Sequence, residues 1–325
     1  MTERVNRPVS SLMVVIAFAI VYLVWGSTYF FIRVAIQQIP ALLMAFLRFF
    51  SAGFLLFIWC AINGEKLFNR QSIRPAVLSG LFMLVVGNGA VVWSEQFLPS
   101  SFAAVIASTS PIWFVVLDGR NRGINFRSRE TVVGLLIGFV GVILLFSEEA
   151  IRAWTTAGNS MEIIAVVILM IGAASWAGGS LYAKYYSKGD SQSANAAWQM
   201  LSAGIAFLPL SAISGEWKNF HWSQVGSTSW LALVYLIVFG SLIAYSAYAW
   251  LLKVKPATQV STHAYVNPVV AVMLGTMLAG EKMTVLQFVG LAIILTSVLL
   301  INLSKYRKER KVFVRAPAVN TKVAC

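Results

Sequence analysis

The chain has 325 residues, 58% of them hydrophobic and only 11% charged, with a formal net charge of +13 and a mean hydropathy of +0.76. A soluble domain of this length cannot hide so much apolar surface, so the composition excludes a soluble enzyme or binding module and leaves an all-α integral membrane protein. The basic excess does not point to nucleic acid, because the Lys and Arg residues sit in short loops between apolar runs, where lipid-facing topology places them.

In chain order, residues 1–10 form a short basic N-terminus, and a first half follows over 11–147. Its apolar runs, each near the ~20 residues that cross a bilayer, lie at Ser11 to Ile36, Ala41 to Ile62, Ile73 to Glu95, Ser101 to Asp118 and Thr131 to Ser147. A connecting loop, 148–160, leads to a second half over 161–303, with runs at Met161 to Tyr185, Ala194 to Ser214, Thr228 to Leu252, Ala257 to Ala279 and Thr284 to Leu303. Residues 304–325 are a basic tail suited to anionic lipid headgroups. Ala17-Phe18-Ala19 mimics a signal-peptidase site, yet hydrophobicity continues past it, so no cleavage is expected.

The halves repeat one another. Trp25 answers to Trp176 and Ser51-Ala52-Gly53 to Ser202-Ala203-Gly204; later, Trp93, Pro99 and Pro111 answer to Trp250, Pro256 and Pro268. Internal repetition of this kind marks a duplicated module. Five spans per half is odd, so the second half enters the membrane upside down and equivalent loops should exchange charge. They do: the loop from Lys66 to Arg74 is basic while its counterpart near Lys218 is nearly free of Lys and Arg, and the loop from Gln96 to Ser100 has none while its counterpart carries Lys253 and Lys255. With both termini cytoplasmic, the outer loops hold only Arg152, Lys218 and Lys282. The expected architecture is ten transmembrane helices in two inverted five-helix repeats around a central cavity.

Polar side chains inside apolar runs mark that cavity, because hydrocarbon does not tolerate them. Arg48 pairs by repeat with Gln199, Asn88 with Tyr245, and Ser110 with Asn267. Glu95 shares a helix face with Asn88, Tyr248 with Tyr245, and His263 with Asn267. Arg48 and Glu95 are expected either to pair with each other or to meet solute. Trp25, Trp176 and Tyr182, with Trp198, are expected to line a pocket for a flat or amphipathic solute, the bilayer interface being their other natural place. Pro111 and Pro268 release the carbonyls of Ala107 and Ala264 and are expected to act as hinges or to offer those oxygens to solute. Gly134, Gly138 and Gly141 form a small-residue face for helix packing against the last span, where Gly290 and Ser297 correspond. Cys60 and Cys325 make no metal spacing and no disulfide pair, no phosphate-binding loop of the GxxxxGKS kind is present, and no cofactor is expected.

The motifs WGSTYFFIR from Trp25 to Arg33, LRFFSAG from Leu47 to Gly53, GNGAVVWSEQ from Gly87 to Gln96 and NPVVAVMLGTMLAGEKMTVLQFVG from Asn267 to Gly290 resemble the drug/metabolite transporter superfamily, in its ten-helix branch with two EamA-like domains. The resemblance implies inverted repeats, a central cavity, residence in a bacterial inner membrane, and export of amino acids or related small metabolites. Smaller relatives couple export to protons through a glutamate in their first span. Ser11 to Ile36 contains no acidic residue, so that mechanism does not carry over, and Glu95 and His263 are the candidate groups for proton coupling. The remaining readings are a carrier of nucleotide-sugars or lipid-linked solutes, for which Arg48 is a meagre supply of cations, and a membrane-embedded enzyme, for which no paired carboxylates or nucleophile with a base stand within the spans.

Overall fold

The computed structural model describes residues 10–98, 100–145, 147, 160–187, 191–218, 220–279 and 284–315, and no strand occurs among them. The expected landmark Pro99, the loop residues Arg152, Lys188 and Lys282, and most of the two terminal segments lie outside the described residues.

Six helices are long and apolar enough to cross a membrane. They are α1 (Ser11–Ile36), α2 (Ala41–Ile62), α3 (Arg70–Ser94), α8 (Ser160–Tyr186, of which Met161–Tyr186 is the apolar span), α9 (Gln192–Ile213) and α10 (Ser227–Val254). The two expected spans that carry the prolines are each broken. One is divided into α4 (Ser100–Ala107) and α5 (Ser110–Leu117), and the other into α11 (Ala257–Val260) and α12 (His263–Ala279). A short α6 (Arg122–Arg127) precedes α7 (Arg129–Leu145), and α13 (Val285–Arg315) closes the described chain.

The breaks have local causes. Pro111 cannot donate to Ala107, so the chain turns at Ser108 and Thr109. In the second half the break falls earlier than Pro268: Ser261 and Thr262 turn their hydroxyls back onto Thr258 O at 3.0 Å and Gln259 O at 2.7 Å, competing with the helix ladder. Pro268 itself stays inside α12. A second departure from expectation is that α3 and α10 are not uniform. Leu81–Asn88 and Leu236–Ile243 are wound as π-helix, a rare geometry that is frequent at functional sites.

Helices α2 and α9 cross at the paired Ser-Ala-Gly triplets, and the crossing is reciprocal. A Cβ on Gly53 would fall 2.6 Å from the Leu201 backbone nitrogen, and one on Gly204 would fall 2.6 Å from that of Phe50. Only glycine lets the backbones approach so closely. The ends of the two helices are also reciprocal. Each terminates at a left-handed glycine, Gly64 with φ 68° and Gly215 with φ 77°, followed by a glutamate. Glu216 accepts from Leu42 N at 3.0 Å and Leu43 N at 2.8 Å, capping α2, while Glu65 accepts from the Ser191 hydroxyl, the N-cap of α9. At the far ends of the halves, α7 and α13 pack through the expected glycine face, with Ser297 Oγ donating to Gly134 O at 2.6 Å.

Candidate functional site

Between these helices lies an internal cavity of about 90 Å³. Helix α1 turns Trp25, Thr28, Tyr29 and Ile32 into it, an i, i+3, i+4, i+7 stripe that a helix places on one face. Arg48 enters from α2, Gly87, Asn88 and Val91 from α3, and Trp176 from α8. The π-wound part of α10 contributes Gly240 and Ser241, with Tyr245 one step beyond, and the broken spans contribute Ala107, Ser110, His263, Ala264 and Asn267.

Arg48 is 3% exposed. Its Nε donates to Ser241 Oγ at 2.9 Å, its guanidinium lies 4.9 Å from the Phe49 ring centroid, and one terminal nitrogen has no hydrogen-bond partner among the described residues. Among the described residues no carboxylate lines the cavity, so Arg48 leaves these walls net positive and favours an anionic group. Three further buried polar atoms on this cavity are partnerless among the described residues: Asn88 Oδ1, Asn267 Oδ1 and His263 Nε2. The other face of His263 meets Asn267, with Nδ1 at 3.4 Å from the amide nitrogen. Around them Trp25 packs edge-on to Trp176 at 5.4 Å and to His263 at 5.0 Å, and its indole nitrogen donates to Gly240 O at 3.0 Å. Each buried polar atom left unmatched costs about 1–3 kcal/mol, a cost that a polar solute offsets.

Of the residues singled out in sequence, Trp25, Arg48, Asn88, Ser110, Trp176, Tyr245, His263 and Asn267 converge here. Four others do not. Tyr248 stands just behind the wall, 4.8 Å from Trp25, and its hydroxyl bonds to Ser180 at 2.7 Å and accepts from Trp176 Nε1 at 3.1 Å. Gln199 is held outside, donating to Ser79 Oγ at 2.8 Å and accepting from the Tyr245 hydroxyl at 3.0 Å. Tyr182 stacks on Tyr186 at 4.8 Å and lines an apolar groove with Phe82 and Trp113, because six residues of helix turn it away from the face of Trp176. Glu95 lies one turn beyond Val91, 3% exposed, within electrostatic range of Arg33 and Tyr29. The expected pair between Arg48 and Glu95 does not form: both Glu95 oxygens stand without a hydrogen-bond partner among the described residues.

Trp198 also leaves the pocket, donating to Leu67 O at 2.8 Å amid Phe57 and Phe68. The carbonyls freed by the prolines each accept from a serine. Ser110 Oγ donates to Ala107 O at 2.6 Å, and Ser108 Oγ reaches Ala264 O at 2.7 Å, tying the two broken spans together. Sequence reasoning passed over Thr28, Tyr29 and Ser241. The first two were available from the stripe set by Trp25; Ser241 was not, since its neighbour Arg48 is 193 positions away.

Buried polar atoms from both ends of the chain, gathered in one cavity among helices of bilayer length, define a polytopic membrane protein built around an internal polar chamber. The chain belongs to the EamA-like transporter family, whose profile matches it twice, over residues 12–147 and 163–303. It is 40% identical over 287 residues to "Uncharacterized inner membrane transporter YedA" of Escherichia coli strain K12, covering 88% of this chain and 89% of that one. It is 24% identical to "Probable amino-acid metabolite efflux pump" of the same organism, covering 90% and 96%. One solved crystal structure shares the fold with a TM-score of 0.75 at 16% identity, covering 92% of this chain and all of the other.

Proposed function

We propose that the protein is a secondary carrier of the inner membrane that exports amino acids or related small metabolites by alternating access. Two five-helix repeats, 11–147 and 161–303, of opposite orientation and joined by 148–160, rock about the central cavity, with Pro111, at the break between α4 and α5, and Pro268, inside α12, as hinges and with residues 1–10 and 304–325 in the cytoplasm. The two separate family matches and the reciprocal crossing of α2 and α9 support this arrangement. The relatives named as an inner membrane transporter and as an amino-acid metabolite efflux pump support the location and the substrate class.

The observation that carries the reading is the set of partnerless polar atoms on the cavity. An unsatisfied Arg48 nitrogen is a donor for a carboxylate, while Asn88 Oδ1 and Asn267 Oδ1 are acceptors for an ammonium group. A zwitterion satisfies both, and the Trp25 and Trp176 faces take its side chain. The cavity of about 90 Å³ is smaller than a typical ligand pocket of ~300–1,000 Å³. In the carrier reading the cavity widens when solute enters.

Counterflow in proteoliposomes tests the proposal. Vesicles preloaded with an unlabelled pool of L-amino acids are expected to accumulate a labelled member of the pool transiently. Absence of counterflow across the pool, with the protein folded and inserted, would sink the amino-acid reading.

A further inference from the structure

A second cavity, of about 320 Å³, opens between α8, α9 and α10 and touches the central one at a single shared residue, Tyr245. Its walls map onto the central cavity by the sequence repeat. Gln199, Tyr245 and Tyr248 line it where their mates Arg48, Asn88 and Val91 line the central cavity. Lys184 and Leu252 continue the correspondence, for their mates Arg33 and Glu95 are electrostatic neighbours of each other while Lys184 Nζ donates to Leu252 O. The two spaces thus correspond in the two halves, with Tyr245 on the wall of both.

The second cavity is also equipped for a ligand. Asn195 is 4% exposed and makes no side-chain hydrogen bond among the described residues. Ser187 Oγ is buried and has no hydrogen-bond partner among the described residues. Two ammonium groups, on Lys184 and Lys253, stand on the walls, and no carboxylate does so among the described residues. Lys184 spends two donors on the carbonyls of Leu252 and Lys255. Asp118, an acidic neighbour of Lys184, is engaged by the Tyr185 hydroxyl at 2.7 Å and by the Asn121 amide at 3.2 Å. At ~300 Å³ and above, a cavity holds a whole small metabolite.

We propose that this cavity is a second solute site, the waiting position on the Lys184 side of Tyr245, and that it takes the carboxylate of the transported molecule on Asn195, Ser187 and the two lysines. The proposal rests on the carrier reading for the identity of its ligand. Breaking the contact between Tyr245 and Gln199 would join the two sites into one path, so a solute advances from the second site to the central one without crossing bulk water.

The test uses full-length protein in nanodiscs, with Cys60→Ser and Cys325→Ser removing the native thiols and Asn195→Cys placing a probe in the cavity. Ser187→Cys serves as an independent probe should the first fail to fold. The expected result is that the anionic reagent 2-sulfonatoethyl methanethiosulfonate labels the thiol at least about tenfold faster than its trimethylammonium analogue, as a cavity of one charge concentrates counter-ions. Lys253→Gln, at an exposed side chain, should reduce that ratio, and the L-amino acid pool used for counterflow should slow labelling. Equal rates, or faster labelling by the cationic reagent, would overturn the proposal. So would a preference for the anion that the pool leaves untouched, which would mark a charged crevice and no solute site. Wild-type counterflow is scored separately: its absence together with protected labelling would remove the carrier reading and leave the site standing.

Discussion

The Tyr245 hydroxyl donates to Gln199 Oε1 at 3.0 Å, a bond between α10 and α9 at the residue shared by the two cavities, and in the two-site proposal it is the partition between them. Gln199 occupies in the second half the place that Arg48 occupies in the first, and each reaches a serine of the other half: Arg48 to Ser241 and Gln199 to Ser79. The same helical position therefore does two jobs. In α2 it presents a cation to the central cavity, and in α9 it latches the partition.

Removing the latch hydroxyl should loosen the partition. Tyr245→Phe leaves Gln199 Oε1 buried without its donor, and the expected loss of stability is about 1–3 kcal/mol. A thiol introduced by Asn88→Cys should react faster with a water-soluble maleimide in that background than with Tyr245 intact. Unchanged reactivity would show that the bond does not seal the central cavity.

Arg48 should govern affinity. Charged hydrogen bonds contribute about 1.5–3 kcal/mol, so Arg48→Gln is expected to raise the half-saturating concentration in counterflow by roughly tenfold or more. Because Nε alone anchors to Ser241, Ser241→Ala should alter affinity less than Arg48→Gln does. Equal half-saturation for wild type and Arg48→Gln would place the carboxylate elsewhere.

Glu95 is the acidic side chain buried beside the cavity, and Arg33 and Tyr29 of α1 are the groups in electrostatic range of it. If its proton is the one exchanged during transport, the pH dependence of counterflow should flatten in Glu95→Gln, whose amide imitates the protonated acid at every pH. A full pH profile in that variant would leave His263 as the candidate group.

The α2–α9 pair should fail at two kinds of site. Gly204→Leu forces a side chain into the Phe50 backbone and should destabilise by at least ~1–3 kcal/mol, the usual cost of overpacking. Glu216→Ala strips the cap from Leu42 N and Leu43 N and should cost about 0.5–2 kcal/mol, read as a lower melting temperature. A melting temperature unchanged by Glu216→Ala would mean that water caps α2 equally well.

Sequence by itself determined the membrane setting, pointed to a duplicated module, and named several of the polar and aromatic residues on the cavity wall. Hydrophobic runs and loop charge are local properties, and a polar side chain within such a run is costly wherever the helix packs. It also exposed the glycine faces, because small residues at helical spacing have one evident use. Only the tertiary structure decided which side of each helix faces the chamber. Tyr182 and Gln199 read as lining residues in sequence, yet helix rotation and a bond to Ser79 carry them elsewhere. Nor did sequence show that Ser108 and Ser110 occupy the carbonyls freed by proline, that α3 and α10 are π-wound, or that the glutamates after Gly64 and Gly215 reach the starts of α9 and α2. The Ser108 contact and the two glutamate contacts depend on which groups arrive from distant parts of the chain, and packing settles that.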